Sequence, residues 1–152
     1  MALTNDSTLP VGGAKAFVDT LTSMKNEQDP SSRQLTGITD SIERNCYHIQ
    51  SYFLLVSGKL IQDPVWRDFW RELEIDGSKD DLINHGELGL TQQMLKSGFT
   101  VKARFSLISM LLDENTTKEE LAQSGKYEPN SVNLTLNAWR ALLKQGCPLI
   151  KK

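Results

Sequence analysis

The carboxylate of Glu87 interrupts an apolar stripe that would lie along one face of a helix. The stripe has spacings of four, three and four residues and consists of Ile83, Glu87, Leu90 and Met94. Burying a carboxylate on such a face is costly unless it has a partner or a chemical role, and general-base catalysis is one such role. Two alternatives stay open. Gly86 could begin the helix and place Glu87 in its first turn, at the positive end of the helix. Otherwise the carboxylate could pair with a nearby base such as Lys79 or Arg104.

A second acidic group, Asp6, stands in a short polar motif, Asn5-Asp6-Ser7, ahead of the first predicted helix. In α/β folds, carboxylates at strand ends are well placed for ligands. A hard cation such as Mg²⁺ takes one or two carboxylates together with phosphate oxygens, so Asp6 is a candidate metal ligand. The same three residues are also an ordinary turn sequence, in which Asn and Ser side chains bond to the backbone.

The clearest strand pattern in the chain runs from Tyr47 to Val56. The polar side chains on one face of this predicted strand are His48, Gln50 and Tyr52. The side chains predicted to occupy the opposite, apolar face are Tyr47, Ile49, Phe53 and Leu55. The polar face could line a ligand site, or it could be a polar edge whose groups bond within the protein. Both interpretations fit the pattern equally well.

Strand and helix patterns alternate along the whole chain. The predicted strands are Leu35 to Thr39, running into Asp40-Ser41, then Tyr47 to Val56 and Val101 to Leu107. The first predicted helices are Ala14 to Met24 and one that begins at Asp63-Pro64 and carries the stripe Trp66, Phe69, Trp70 and Leu73. The later helices are Asp80 to Ser97, which ends at Gly98, and one that carries Leu136, Trp139, Leu142 and Leu143. This alternation indicates an α/β fold with a mixed sheet flanked by helices.

The composition fits one globular domain and argues against several classes of protein. The chain has 152 residues, 39% hydrophobic and 24% charged, with a formal net charge of -2. That length suits a single domain over residues 1–152, and the near-neutral charge argues against nucleic-acid binding. No run approaches the ~20 apolar residues of a membrane span, and the first residues lack a signal-peptide pattern. Cys46 and Cys147 match no metal or redox spacing, so we predict a cytoplasmic protein.

Several segments together resemble the rhamnan synthesis protein F family of glycosyltransferases, and they occur in the order found in that family. The matching segments are Asn5-Asp6-Ser7, Gly37-Ile38-Thr39-Asp40-Ser41, His48-Ile49-Gln50-Ser51-Tyr52-Phe53, Glu87-Leu88-Gly89-Leu90-Thr91, Asn133-Leu134-Thr135, Trp139-Arg140 and Gly146-Cys147-Pro148. Glu87, Gly98 and Phe99 are also similar to the acidic helix of inverting glycosyltransferases with the GT-A fold. The chain departs from that wider pattern at Leu88, where a second acidic residue is usual.

The resemblance implies an enzyme in which an acceptor hydroxyl attacks the anomeric carbon of a nucleotide-diphospho-sugar. Glu87 would be the general base, and Asp6 would help to hold Mg²⁺ or Mn²⁺ on the donor diphosphate. The substrate-binding residues implied in this way are Asn5, Ser7, Asp40, His48 and Gln50. The acceptor would be a glycan or a lipid-linked glycan of a cell-surface polysaccharide.

The resemblance also implies that residues 1–152 are the catalytic-side portion of a GT-A-like fold. In that fold, the strand–helix repeats that bind the nucleotide precede the acidic metal motif. We therefore expect a partial glycosyltransferase domain that is completed by an upstream segment, with peripheral association at the inner face of the membrane as a further expectation. The alternative is a non-catalytic remnant that serves as an interaction module of a polysaccharide-assembly complex.

Overall fold

A computed structural model of the chain describes residues 1–5, 7–74, 77–112, 117–125 and 128–151. Within these residues, five strands form a mixed sheet that is flanked by helices, and two further strands form a small separate sheet. The predicted α/β class is therefore confirmed.

The central strand of the large sheet is β3, which pairs with three others. The strands are β1 (Ala2–Thr4), β2 (Thr8–Pro10), β3 (Gln34–Ser41), β4 (His48–Ile49), β5 (Phe53–Val56), β6 (Thr100–Phe105) and β7 (Leu149–Lys151). β3 is antiparallel to β4 and β5 and parallel to β6, while β1 pairs with the outer side of β5. β2 and β7 form the antiparallel pair of the small sheet.

The helices cover the large sheet and follow the predicted order. They are α1 (Gly13–Asn26), α2 (Gly58–Gln62), α3 (Pro64–Glu72), α4 (Lys79–Asp81), α5 (Gly89–Lys96), α6 (Leu107–Leu112), α7 (Thr117–Ser124), α8 (Leu134–Asn137) and α9 (Trp139–Lys144), with a π-helix at Leu82–Leu88. The predicted cap of α3 is confirmed, because the Asp63 carboxylate accepts the Val65 N–H at 3.0 Å. Gly98 follows α5 with a φ of 74°, as a helix-ending glycine should. Among the residues described, no helix is long and apolar enough to cross a membrane.

β3 is buried along its whole length and separates two hydrophobic clusters. Leu35 belongs to one cluster and Ile38 to the other, because successive side chains of a strand point to opposite faces. The fully buried side chains on the Leu35 side include Leu60, Ile49 and Met94. Those on the Ile38 side include Met24, Phe53, Met110, Leu134 and Leu142. The sheet therefore has a core on each face, as expected of an α/β fold.

The prediction of a single strand from Tyr47 to Val56 is wrong in one respect. The structure has two strands in this range, β4 and β5, with three residues between them. Ile49 packs in one core cluster and Phe53 in the other, whereas the sequence pattern placed them on the same face. The three intervening residues break the two-residue period, and side chains after the break point to the opposite face.

The strand register shows that the interruption is a bulge. Between the pairs Gly37–Leu54 and Asp40–Ile49, β3 contains two residues, 38 and 39, while the facing chain contains four, 50 to 53. Extra residues on one side of a ladder bend the strand and release backbone groups from pairing. The N–H of Ser51 is one such group, and it donates outside the sheet.

The strand predicted from Val101 to Leu107 ends earlier, because Leu107 is the first residue of α6. The Ser106 hydroxyl accepts the Ser109 N–H at 3.2 Å and so caps the start of this helix. The alternating residue types predict a strand up to Leu107. Because Ser106 caps a helix instead, the strand ends before Ser106 and Leu107.

Two predicted buried stripes are only partly correct. Trp66 is 4% exposed, but Trp70 is 42% exposed and packs edge-on against Trp66 and Phe69 at the surface. The last predicted helix is two short helices, because Ala138 has a non-helical conformation (φ −138°, ψ 34°). Leu136, one of the apolar residues of the predicted helix, is 56% exposed.

Candidate functional site

A π-helix positions Glu87 at the border between the core and a cleft. Leu90 and Met94 are 2% and 0% exposed, so the predicted apolar stripe does face the core. One turn earlier, Ile83 and Glu87 line the cleft instead. π-Helical turns are rare and often occur at functional sites, because the wider turn shifts where side chains point.

The cleft has a volume of about 530 Å³ and gathers five of the seven predicted site residues. These five residues are Asn5, Ser7, His48, Gln50 and Glu87. The remaining described residues of its lining are Glu43, Arg44, Ser51, Tyr52, Lys79, Leu82, Ile83, Leu88, Asn130 and Asn133. A larger cleft of about 770 Å³, which includes Val65 and Phe69, contains none of the predicted site residues among those described.

The two carboxylate oxygens of Glu87 have different partners. Oε2 accepts two hydrogen bonds of 2.6 Å from Ser51, one from its backbone N–H and one from its hydroxyl. Oε1 lies 3.4 Å from Nε2 of His48. Of the two bases named above, Arg104 contacts Glu27 at 3.6 Å instead, and Lys79 lines the same cleft as Glu87.

His48 is held by a backbone contact on the opposite side of its ring. Its Nδ1 lies 2.8 Å from the carbonyl oxygen of Cys46, and its side chain is 3% exposed. A carbonyl oxygen only accepts hydrogen bonds, so this contact places a proton on Nδ1. Nε2 therefore faces Glu87 with a lone pair when the imidazole is neutral.

The order of these three groups differs from that in a serine hydrolase. In a Ser-His-acid triad, histidine lies between the serine and the acid and removes the hydroxyl proton. Here Glu87 lies between Ser51 and His48, and the serine hydroxyl donates to the carboxylate. The arrangement orients a carboxylate rather than activating a serine nucleophile.

The polar face of the interrupted strand forms a hydrogen-bonded floor beneath the cleft. The Thr39 hydroxyl donates to Oε1 of Gln50 at 2.7 Å and lies 2.8 Å from the hydroxyl of Tyr52. Gln50 and Tyr52 are 4% exposed, and burial raises the pKa of Tyr52, which keeps its hydroxyl neutral. These groups are therefore hydrogen-bonded within the protein and also line the cleft, so the structure is compatible with both interpretations of this face.

Asp40, predicted to bind substrate, is 6% exposed and is not among the described residues that line the cleft. Its carboxylate accepts the backbone N–H of Leu107 at the start of α6 and bonds to the hydroxyl of Tyr47. Burial raises the pKa of Asp40, and these two hydrogen bonds oppose that shift. A carboxylate at a strand end can cap a helix as well as bind a ligand, and the first role applies here.

This buried carboxylate predicts a pH dependence of stability. Because the folded-state pKa of Asp40 lies above its ordinary value of 3.8, its contribution to stability is lost as pH rises through the folded-state pKa. In Asp40→Asn this pH-dependent loss of stability is absent, and the asparagine side-chain oxygen can still accept the N–H of Leu107. We expect the unfolding free energy of the variant, relative to wild type, to increase from about pH 3 to about pH 7 in urea titrations.

Asp29 provides a control of opposite sign. Its carboxylate accepts the hydroxyl and the N–H of Ser31, and these bonds lower its pKa. The stabilisation is present at neutral pH and is lost on acidification. Asp29→Asn should therefore lose stability relative to wild type over the same rise in pH. Parallel slopes for the two variants would contradict the assignment for Asp40.

Asn5 and Ser7 reach the cleft as parts of a turn. Oδ1 of Asn5 accepts the N–H of Ser7 at 3.1 Å and its hydroxyl at 2.6 Å, as the turn interpretation predicts. The N–H of Asn5 donates to the carbonyl of Tyr52 and anchors the turn to the sheet. Asp6, the predicted metal ligand, lies outside the described residues.

No group of three potential metal ligands is present in the described part of the chain. The described carboxylates of the cleft are already engaged: Glu87 with Ser51, and Glu43 with the side-chain amide of Asn133 at 2.8 Å. These residues therefore do not form a metal-ligand set by themselves.

The turn between β3 and β4 adds cleft residues that the sequence did not reveal. Arg44 and Asn45 have positive φ values of 60° and 55°, which are uncommon for residues with side chains. Arg44 donates to Asp80 and Asn84 at 2.7 Å each, and the side chain of Asn45 bonds to Asn130. These contacts hold the strained turn against Asp80 and Asn84 on one side and against Asn130 on the other.

Ser51 and Asn133 were also missed as site residues, although a signal was present for both. Each lies within a segment that resembles the family, between His48 and Phe53 in one case and ahead of Leu134 in the other. The contact between Ser51 and Glu87 depends on the bulge, because the bulge frees the Ser51 N–H to donate to the Glu87 carboxylate.

The fold and the cleft together define an α/β protein with a positioned carboxylate in a polar cleft. Comparison with protein families gives a match to Rhamnan synthesis protein F over residues 17–152. The chain belongs to the rhamnan synthesis protein F family and thus to proteins of rhamnan and polysaccharide synthesis. The matched range includes Glu87, His48 and Ser51 but not the Asn5–Ser7 turn. Comparisons with curated proteins and with solved structures gave no significant match.

Proposed function

We propose that this chain is the catalytic-side portion of a glycosyltransferase for surface polysaccharide. It would transfer a sugar, with rhamnose as one candidate, from a nucleotide-diphospho-sugar to a glycan or lipid-linked acceptor. The observation that carries the proposal is the geometry of Glu87, whose Oε2 is fixed by two donors from Ser51 while the carboxylate remains at the cleft. Family membership supplies the polysaccharide context.

Glu87 acts as the general base in this proposal. As the acceptor oxygen forms its bond to the anomeric carbon, the acceptor proton moves to Oε1, and the bond from that carbon to the diphosphate breaks. The nucleoside diphosphate leaves with the bonding electrons, and direct displacement inverts the anomeric configuration. The two Ser51 hydrogen bonds fix the carboxylate, so little reorganisation is needed at the moment of proton transfer.

The lining of the cleft suits a polyhydroxylated substrate. A volume of about 530 Å³ lies within the roughly 300–1,000 Å³ of small-molecule sites. Amide side chains from Gln50, Asn130 and Asn133 can both donate and accept, as recognition of sugar hydroxyls requires. Arg44 and Lys79 supply positive charge that a diphosphate would favour.

Asp6 is the proposed ligand for Mg²⁺ or Mn²⁺, which would neutralise charge on the leaving diphosphate. Its neighbours in sequence, Asn5 and Ser7, line the cleft, and this placement supports the proposal. In this proposal, a segment upstream of this chain would recognise the nucleotide base and the ribose. The assembled enzyme would act at the inner face of the membrane.

A transfer assay tests the proposal. The chain joined to its upstream segment is incubated with a nucleotide-activated rhamnose, Mn²⁺ and an acceptor glycan. We expect nucleoside diphosphate and glycoside in equal amounts, with the anomeric configuration inverted in the NMR spectrum of the product. Retained configuration would exclude Glu87 as the base of a direct displacement. A protein that binds neither nucleotide nor metal and transfers no sugar would support the interaction module instead.

A further inference from the structure

The cleft contains a second proton-accepting group directly behind the proposed base. Oε2 of Glu87 is occupied by Ser51, which leaves Oε1 as the oxygen available to an acceptor hydroxyl. That same oxygen lies 3.4 Å from Nε2 of His48. A proton taken up on Oε1 is therefore one short transfer from the imidazole.

The protonation pattern of His48 suits it to receive that proton. The carbonyl of Cys46 fixes the ring proton on Nδ1, so the neutral ring has its lone pair at Nε2, toward Glu87. The ring is 3% exposed, so bulk water has little access to it. A proton would therefore reach or leave Nε2 mainly through Glu87.

We propose that His48 is the proton reservoir of Glu87 during sugar transfer, an inference that rests on the proposed function. The acceptor O–H bond breaks as the oxygen bonds to the anomeric carbon, and its proton passes from Oε1 of Glu87 to Nε2 of His48. The nucleoside diphosphate leaves with the electron pair of the broken bond. After the products leave, the proton returns through Glu87 to solvent. His48 acts through Glu87 and is thus a positioning residue.

The surroundings of His48 contain both acidic and basic groups. The charged groups that face His48 or line the cleft around it are Asp40, Glu43, Arg44, Lys79 and Glu87. The neutral titratable groups nearby are Cys46, Tyr47 and Tyr52. Asp40 and Glu87 are the acids that interact with the ring directly, and of these two Glu87 faces Nε2 at 3.4 Å.

His48→Asn tests the inference with little change in local structure. The asparagine amide can still donate to the carbonyl of Cys46, but no proton acceptor remains in the place of Nε2. We expect kcat to fall about 10-fold to 100-fold, less than for loss of the base itself, with KM little changed. A variant that had lost its fold or its substrate binding would show a raised KM, so a lower kcat with an unchanged KM assigns the loss to the proton-transfer step.

His85→Asn is the matched control, because His85 belongs to the same π-helix but its side chain is 61% exposed. It should keep the wild-type kcat and KM. A second readout does not need turnover: in alkaline solution, imidazole ¹⁵N resonances of wild-type protein should show the proton on Nδ1. A proton on Nε2 would overturn the inference.

The outcomes separate the two proposals. If wild type transfers sugar and His48→Asn keeps the wild-type kcat, only the reservoir is wrong. If wild type transfers no sugar, the proposed function fails and the reservoir fails with it.

Discussion

Glu87→Gln is expected to lower the rate of sugar transfer by ~10²–10⁴-fold while donor binding is retained, because the substitution removes the base and keeps the side-chain shape. The glutamine oxygen can still accept both hydrogen bonds from Ser51. Its amide would then donate to the bare Nε2 of His48, so the variant should fold normally. The lost step is proton transfer, not recognition of the diphosphate.

The measurement is a comparison of initial transfer rates and donor affinities for wild type and variant. Glu72→Gln is the control, since Glu72 lies on α3 with a side chain that is 71% exposed and outside the cleft with Glu87. It should leave the rate unchanged. Turnover by Glu87→Gln within a few-fold of wild type would remove Glu87 as the base.

Gly37→Ala is expected to give the largest loss of stability, because a β-carbon at this position has no room. It would lie 2.0 Å from Cγ2 of Ile49, at the crossing of β3 with the bulged chain. Overpacking of a core typically costs about 1–3 kcal/mol, and an overlap this severe should reach at least the upper part of that range. Relief by a backbone shift would move the bulge that presents Ser51 to Glu87.

Urea unfolding measures this loss, and two further variants interpret it. Gly58→Ala is the matched control, because no atom lies within 4 Å of its added carbon and the position is helical. It should be neutral or slightly stabilising. Ile49→Ala removes the clashing carbon and should cost less in the Gly37→Ala background than in wild type. Additive costs, or a neutral Gly37→Ala, would show that the close approach is not real.

Elements with strong local signals could be predicted from the sequence. Asp63 followed by Pro64 marks the start of α3, and Gly98 marks the end of α5, since each residue suits its position for a local reason. The placement of Glu87 beside the core also follows from a local pattern, the helical spacing of its neighbours.

Features that depend on distant partners could not be predicted. The bulge at residues 50–52 contains neither glycine nor proline, and it is defined only by its pairing with β3. Asp40 was expected at a ligand site because the sequence does not reveal that Leu107, 67 residues away, brings a helix start to its carboxylate. The positive φ of Arg44 likewise accompanies contacts with Asp80 and Asn84, which are 36 and 40 residues away in the sequence.

The most direct test of the central claim is a crystal structure of the protein with acceptor glycan and nucleoside diphosphate. The quantity of interest is the distance from the attacking acceptor hydroxyl to Oε1 of Glu87. We predict about 2.6–3.2 Å, with Oε2 still bound by Ser51. An acceptor bound away from Glu87, for example in the larger cleft beside Val65 and Phe69, would contradict the assignment of this carboxylate as the base.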